Sequence, residues 1–338
     1  METWALSSGF GVENLGRTAH DPGAPGPGQV RLRMRAASLN YRDLLMIRGH
    51  YDPRVPLPLT PCSDGVGVVE AVGPGVVDFA VGDRCAPTFV QGWTAGPFRP
   101  GMGRDTLGCI VPGTLRRAMV VPASALTTVP DHLSDAEAAC LPCAGVTAWQ
   151  ALVRLGQIKA GDRVLTLGTG GVSLFALQIA RMQGARVAIT SSSDEKLAQA
   201  KVIGAELTVN YTQDPRWGRT VAKWAGDGVD HVMELGGAGT LDQSLRAVRT
   251  GGTISMIGVL AGVKTELAVT RILMRGLRLQ GVFVGSLADQ QDLCAALSAH
   301  PDTRPRVDRV FPFGEVPAAL AHLDSGAHFG KVVIDLQA

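Results

Sequence analysis

Apolar residues along this chain recur with two different periods. Over the first third they form short runs, Val30–Met34, Gly65–Val72 and Ala118–Val121. Turn residues separate these runs: Pro-Gly at 25–28, Gly-Pro-Gly at 73–75 and Gly-Asp at 82–83. Short apolar runs bounded in this way predict strands. Inside this β-rich region, Leu39–Arg48 carries helical periodicity. Residues 91–116, rich in glycine, proline and arginine, predict a long loop, and long loops in compact domains often serve function.

The texture changes at Ser134. Ser-Asp-Ala-Glu before an apolar run predicts a helix N-cap with an acid three positions on. Apolar strands then alternate with helical segments. Strands are predicted at Arg163–Leu167, Arg186–Thr190, Thr208–Asn210, His231–Glu234, Thr253–Gly258 and Arg278–Val284. Helices are predicted at Val172–Met182, Ser193–Ile203, Trp217–Ala225 and Leu241–Val248. Such alternation means a parallel sheet with helices on both faces. Beyond 285 a helix at Asp289–Ala299 and a strand at Lys331–Leu336 are expected to return to the first domain. The domain reading is therefore 1–133 with 286–338, and 134–285.

The most informative motif joins the strand ending at Leu167 to the following helix: Gly168-Thr169-Gly170-Gly171-Val172-Ser173. Gly168 permits a tight turn, Gly170 leaves room for a pyrophosphate, and the helix start offers unpaired N–H groups to phosphates. This strand–turn–helix order predicts a dinucleotide site. At the end of the next strand an acid would bind the ribose 2′-hydroxyl of NAD and repel the 2′-phosphate of NADP. Ser191 stands there instead, with Ser192, Ser193 and Lys196 as phosphate donors. NADP(H) is favoured over NAD(H), with Asp194 and Glu195 as the counter-evidence.

Composition excludes several other classes. The formal net charge is +2 with no basic run, so no nucleic-acid footprint is visible. No apolar run spans a bilayer and the N-terminus lacks a signal-peptide pattern, so the expected location is the cytoplasm, with no membrane partner. The six cysteines read as reduced, mostly buried thiols rather than a disulfide scaffold. No Ser, His and acid arrangement points to a hydrolase.

Read together, the stretches ASLNYRDLLMIRGHY, SDGVGVVEAVGPGV, VGDRCAP, LPCAGVTAWQAL, AGDRVLTLGTGGVSLFALQIA, VDHVMELGG and HFGKVVIDL resemble the medium-chain dehydrogenases/reductases over essentially the whole length. The nearest branch is the zinc-free group, similar to quinone oxidoreductases and to proteins called NAD(P)-dependent alcohol dehydrogenases. The resemblance implies an α/β protein with a GroES-like β-rich catalytic domain and a Rossmann doubly wound parallel sheet. Zinc enzymes of the family use Cys, His or Glu, and Cys as ligands. The aligned positions here are Asn40, Ser63 with Asp64 beside it, and Cys143, so no zinc is expected. The four-cysteine structural-zinc lobe is missing, Cys109 standing alone in that loop.

Further roles follow from the resemblance alone. Asn40 and Tyr51 line the nicotinamide pocket, and Phe89 is a substrate-pocket aromatic. Asp43 and Lys331 form an acid–base pair close to the cofactor. Ser192, Lys196 and Tyr211 meet the 2′-phosphate. Thr147, Gly258, Val259, Phe283 and Val284 contact the nicotinamide. Arg42 departs from the family pattern, which has a proton-relay hydroxyl there. Without metal, donors must stabilise the oxygen that gains charge, and Asn40, Arg42 and Tyr51 are the candidates. Each has a plainer reading too: a turn cap for Asn40, a solvated helix residue for Arg42, a packing ring for Tyr51. His50 is a weaker proton donor candidate. Conjugated enones or quinones suit such a site because the charge spreads. The alternatives are a zinc-free alcohol dehydrogenase or ketone reductase, and a non-catalytic NADPH-binding protein. Phe89, Trp93 and Phe98 point to an apolar or aromatic substrate, and the apolar edge Leu277–Val284 points to a homodimer.

Overall fold

The computed structural model describes Met1–Ala338. The short apolar runs of the first third become strands because each is closed by a turn. In chain order these are β1 (Glu2–Leu6), β2 (Leu15–Ala19), β3 (Gln29–Leu39), helix α1 (Tyr41–Ile47), β4 (Asp64–Val72), β5 (Arg84–Pro87), β6 (Ala118–Pro122), β7 (Leu126–Thr128) and helix α2 (Asp135–Ala138). Helix α2 starts with the expected capping box between Ser134 and Glu137. The chain then winds through two π-helical stretches, Leu141–Gly145 and Gln150–Leu155, flanking α3 (Val146–Trp149).

The alternating part follows: β8 (Arg163–Leu167), α4 (Gly171–Met182), β9 (Arg186–Ser191), α5 (Asp194–Val202), β10 (Leu207–Asn210), α6 (Trp217–Trp224), β11 (Val229–Glu234), α7 (Leu241–Ala247), β12 (Val248–Met256), α8 (Val269–Arg275) and β13 (Arg278–Gly281). Its six strands form a parallel sheet in the order β10-β9-β8-β11-β12-β13. Last come α9 (Leu287–Ala299), β14 (Val307–Pro312), α10 (Val316–Asp324) and β15 (Lys331–Asp335). Strand β15 pairs antiparallel with β3, which closes the sheet β14-β15-β3-β4-β5-β7. Phe311, Phe313 and Leu320 from this return bury themselves against Leu6, Leu32, Met34 and Met119.

Two compact units result, Met1–Val146 with Gly285–Ala338, and Thr147–Val284. The first boundary thus falls after Val146, not after residue 133: the segment from Ser134 belongs with the β-rich unit, where the Cys143 N–H donates to Asp64. Strand β12 begins at Val248, five residues earlier than expected, because Arg249-Thr250-Gly251-Gly252 reads as a turn yet carries an irregular register against β11. Strand β13 ends at Gly281, short of Val284, whose φ of 44° is not extended.

Candidate active site

Three adjacent strand ends build the polar centre of the β-rich unit. Strand β3 ends at Leu39, β4 begins at Asp64 opposite Ser38, and Val332 of β15 lies opposite Leu39. That register sets Lys331 beside Asn40 and Asp64. The Lys331 ammonium donates to Leu39 O at 2.7 Å and to Asn40 Oδ1 at 2.5 Å, and lies 3.8 Å from Asp64 Oδ2. Lys331 is 4 % exposed and Asp64 fully buried. Asp64 Oδ1 accepts from the Ser63 hydroxyl at 2.9 Å and Oδ2 from the Cys143 N–H at 3.2 Å. Burial pushes the Asp64 carboxyl up to about 6, against the opposing pull of Lys331 and Asn40.

Asn40 stands at the start of α1. Its backbone N–H donates to Asp43 Oδ2 at 2.8 Å, and its side-chain amide donates to Ser63 Oγ at 3.4 Å. The cap bond at this helix start is thus Asp43 on the Asn40 backbone, while the Asn40 side chain joins a polar cluster with Ser63 and Lys331. Asp43 is fully buried, and burial raises its carboxyl despite Arg42. The expected Asp43–Lys331 pair is not formed: Lys331 pairs with Asp64, because Asp43 is turned back onto the first turn of α1. Two of the three Lys331 N–H groups are bonded, to Leu39 O and Asn40 Oδ1, and the ammonium also faces Asp64.

Arg42 is buried rather than solvated. Its Nη1 donates to Leu107 O at 3.0 Å in the long loop, and its guanidinium lies 4.7 Å from the Phe89 ring and 5.1 Å from the Tyr51 ring. Phe89 is a buried ring behind that guanidinium, not an open pocket wall. Trp93 is likewise core, with its Nε1 on Gly96 O and its edge against Phe98. Tyr51 remains 43 % exposed, and His50 is a surface residue.

The metal expected for zinc enzymes can be tested against these donors. The four aligned positions offer an amide, a hydroxyl, a carboxylate and one thiol, and burial pushes the Cys143 thiol far up, against thiolate formation. An ammonium already sits on Asn40 and beside Asp64. No three His, Cys, Asp or Glu side chains are grouped to hold a metal ion. These residues do not fit a tetrahedral zinc.

In the second unit the turn after β8 has the form a dinucleotide requires. Gly168 has φ 76°, a conformation that disfavours side chains. A Cβ on Gly170 would meet nothing within 4 Å, so the space before the start of α4 is open. Ser173 is buried with its hydroxyl on Leu167 O at 2.6 Å, which fastens helix to strand. At the end of β9, Ser191 is buried and its hydroxyl accepts the Ser193 N–H, so it is not an exposed phosphate donor. Ser192 and Tyr211 are exposed, and the Tyr211 N–H on Ser191 O brings them together. Asp194 is tied by Asn210 and Gln213, whose hydrogen bonds lower its carboxyl.

One residue escaped the sequence reading. Glu234, fully buried at the end of β11, accepts from the N–H groups of Gly236 and Gly237 at 2.9 Å each and from the Thr240 and Ser244 hydroxyls. Its carbonyl takes the N–H groups of Ile257 and Gly258. It therefore fixes the backbone that leads to Gly258 and Val259. The readable signal was an acid closing an apolar strand before two glycines.

Comparison with known proteins agrees with this architecture. Residues 26–131 match the alcohol dehydrogenase GroES-like domain and residues 171–299 the zinc-binding dehydrogenase model. A zinc-type alcohol dehydrogenase-like protein of Schizosaccharomyces pombe is 43% identical over 317 residues, covering 92% of this chain and 91% of that protein. The chain belongs to the zinc-type alcohol dehydrogenase-like family of medium-chain dehydrogenases/reductases. Among solved members, a Sinorhizobium meliloti protein described as an alcohol dehydrogenase superposes with TM-score 0.92 at 42% identity, covering 99% of this chain and 98% of the other. A protein described as an NAD-dependent alcohol dehydrogenase gives 0.90 at 34%, covering 99% of both chains. This family member is an NAD(P)-dependent, alcohol dehydrogenase-like oxidoreductase with a GroES-like domain and a Rossmann sheet. No helix is long and apolar enough to cross a membrane.

Proposed function

We propose that this enzyme is a zinc-independent reductase of conjugated enone or quinone carbonyls that prefers NADPH. The observation that carries the reading is the Lys331 ammonium bonded to Asn40 Oδ1 beside buried Asp64. A cation on the amide oxygen draws electron density from the amide nitrogen and makes its remaining N–H a stronger donor. Asn40 Nδ2 and the Tyr51 hydroxyl would hydrogen-bond the substrate oxygen as it gains charge. Asp43 holds the Asn40 backbone, and Asp64 keeps the ammonium in place. In a conjugated acceptor the charge spreads into an enolate, so two donors suffice without a metal ion.

The bound dinucleotide supplies the hydride. Gly168, Gly170, Gly171 and Val172 would hold its pyrophosphate, Ser192, Lys196 and Tyr211 a 2′-phosphate, and Thr147, Gly258, Val259, Phe283 and Val284 the nicotinamide side. A second reading, an NAD-dependent alcohol dehydrogenase or ketone reductase, is favoured by the solved relative at 34% identity, which is described as an NAD-dependent alcohol dehydrogenase. Turnover of a panel of enones, quinones, ketones and alcohols with both cofactors separates the two.

Asn40→Ala and Tyr51→Phe are each expected to lower kcat about tenfold with KM little changed, the mark of an interaction made in the transition state. Full turnover in both variants on a good substrate would remove these residues from the mechanism. We also read the enzyme as a homodimer, through the β13 edge and α8. The edge is shorter and less apolar than the sequence implied, but Leu260, Val263, Val269, Leu273 and Met274, on the segment that runs from β12 into β13, are all exposed. Apolar surface of that kind next to an open sheet edge marks an association site. Light scattering at micromolar concentration should give twice the chain mass of 35.4 kDa; a monomer would contradict this.

A further inference from the structure

Arg42 holds two buried donors that nothing in the protein satisfies. The residue is 9 % exposed, only Nη1 is engaged, on Leu107 O, and both Nε and Nη2 lack a partner. Asp43 Oδ1 is also unpartnered, so the neighbouring carboxylate is not what satisfies them. A guanidinium keeps its charge, and buried donors without acceptors are rare and call for a ligand or a water. Nε and Nη2 lie on one edge of the planar group, and their two parallel N–H bonds match the oxygens of a carboxylate. Phe89 and Tyr51 lie against the guanidinium. Tyr51, on the irregular segment after α1, is 43 % exposed, so the ring over the guanidinium borders solvent. A hydroxyl at this position would serve proton relay, whereas an arginine with a free fork serves anion capture.

We infer that Arg42 is a carboxylate-binding residue, and that the acceptor reduced here is an unsaturated oxo acid whose carboxylate is gripped by the Nε–Nη2 edge. The anion grip stands on the geometry of Arg42; the oxo-enoate class rests on the enone reading above. The carboxylate itself does not react. Hydride from the reduced dinucleotide bonds to the carbon β to the ketone, the C=C pair moves into the enolate, and a solvent proton then bonds to the α-carbon. The products are the saturated oxo acid and the oxidised dinucleotide.

The test compares 4-oxo-2-pentenoate with its methyl ester in the native enzyme, Arg42→Met and Arg42→Lys. The acid-to-ester ratio of kcat/KM should fall roughly ten- to a hundredfold in Arg42→Met, the loss of a charge-assisted pair, and Arg42→Lys should recover only part of it, since an ammonium has no fork. An unchanged ratio, however far both rates drop, overturns the proposal. Binding of the saturated acid 4-oxopentanoate to the cofactor-loaded enzyme, by calorimetry, is independent of turnover. Its Kd should rise by a similar factor in Arg42→Met, and equal binding or none by the native enzyme overturns the anion grip. If neither enone is reduced but 4-oxopentanoate binding depends on Arg42, the enone reading fails and the anion grip stands.

Discussion

Lys331→Met is expected to cost about 3–5 kcal/mol of folding stability at pH 8, the usual loss when one partner of a buried ion pair is removed. Asp64 would remain fully buried with no cation near its Oδ2. Its carboxyl already stands at about 6 with the lysine in place, and would rise further without it. A carboxyl whose folded pKa lies above its unfolded value holds its proton more tightly in the folded state. Its burden on stability is therefore greatest above the folded value and is relieved as pH falls through it toward the unfolded one. The loss should be smaller at pH 5 than at pH 8, and Lys331→Met with Asp64→Asn should recover much of it. Urea unfolding at both pH values checks this; a loss below about 1 kcal/mol, as for an exposed pair, would mean that the pair contributes nothing structural.

Lys196→Ala is expected to raise KM for NADPH roughly ten- to a hundredfold, the loss of one charge-assisted hydrogen bond, while KM for NADH stays within about a factor of two. At the end of β9 a serine replaces the acid that would repel a 2′-phosphate. Ser191 itself is closed off by the Ser193 N–H. Selection then falls to exposed Ser192, to Tyr211, and to Lys196 in the first turn of α5, whose N–H is held by Ser193 Oγ. Asp194, in the same turn, is the residue that opposes this reading, and its ties to Asn210 and Gln213 fix where its charge lies. Equal affinity of the native enzyme for both cofactors would refute the preference.

The parallel sheet was the most legible part of the chain. Arg163–Leu167 matches its strand at both ends, and the glycine turn after it has the backbone the motif demands. Strands buried on both faces give unbroken apolar runs, which are easy to read. The helical stretch from Leu141 to Leu155 was not read, because Pro142 and Gly145 interrupt its pattern and its π-helical winding departs from the 3.6 period. Strand β14 was missed because Asp308 and Arg309 break its apolar run, and α10 because it opens on Val316-Pro317. The short exposed helix α8 buries nothing and left no apolar stripe to detect.

The chemistry was legible by residue type but not by partner. Asn40 and Tyr51 are readable from a motif, yet the lysine bonded to Asn40 lies 291 positions away and meets it only through the pairing of β15 with β3. In the sequence Asp64 stands beside a position aligned with a zinc ligand; its partnership with Lys331 follows from strand register, which a single sequence does not display. Arg42, a donor candidate with a solvated helix residue as its plainer reading, is buried by Leu107 and Phe89, distant in sequence, and by Tyr51 just after its own helix.

Hydride transfer without zinc can be checked by measuring metal content and NADPH-dependent enone reduction on the same purified enzyme before and after exhaustive chelation. Zinc is expected well below one atom per chain, with turnover unchanged by the chelator. Stoichiometric zinc, with activity lost on its removal and regained on its return, would contradict it.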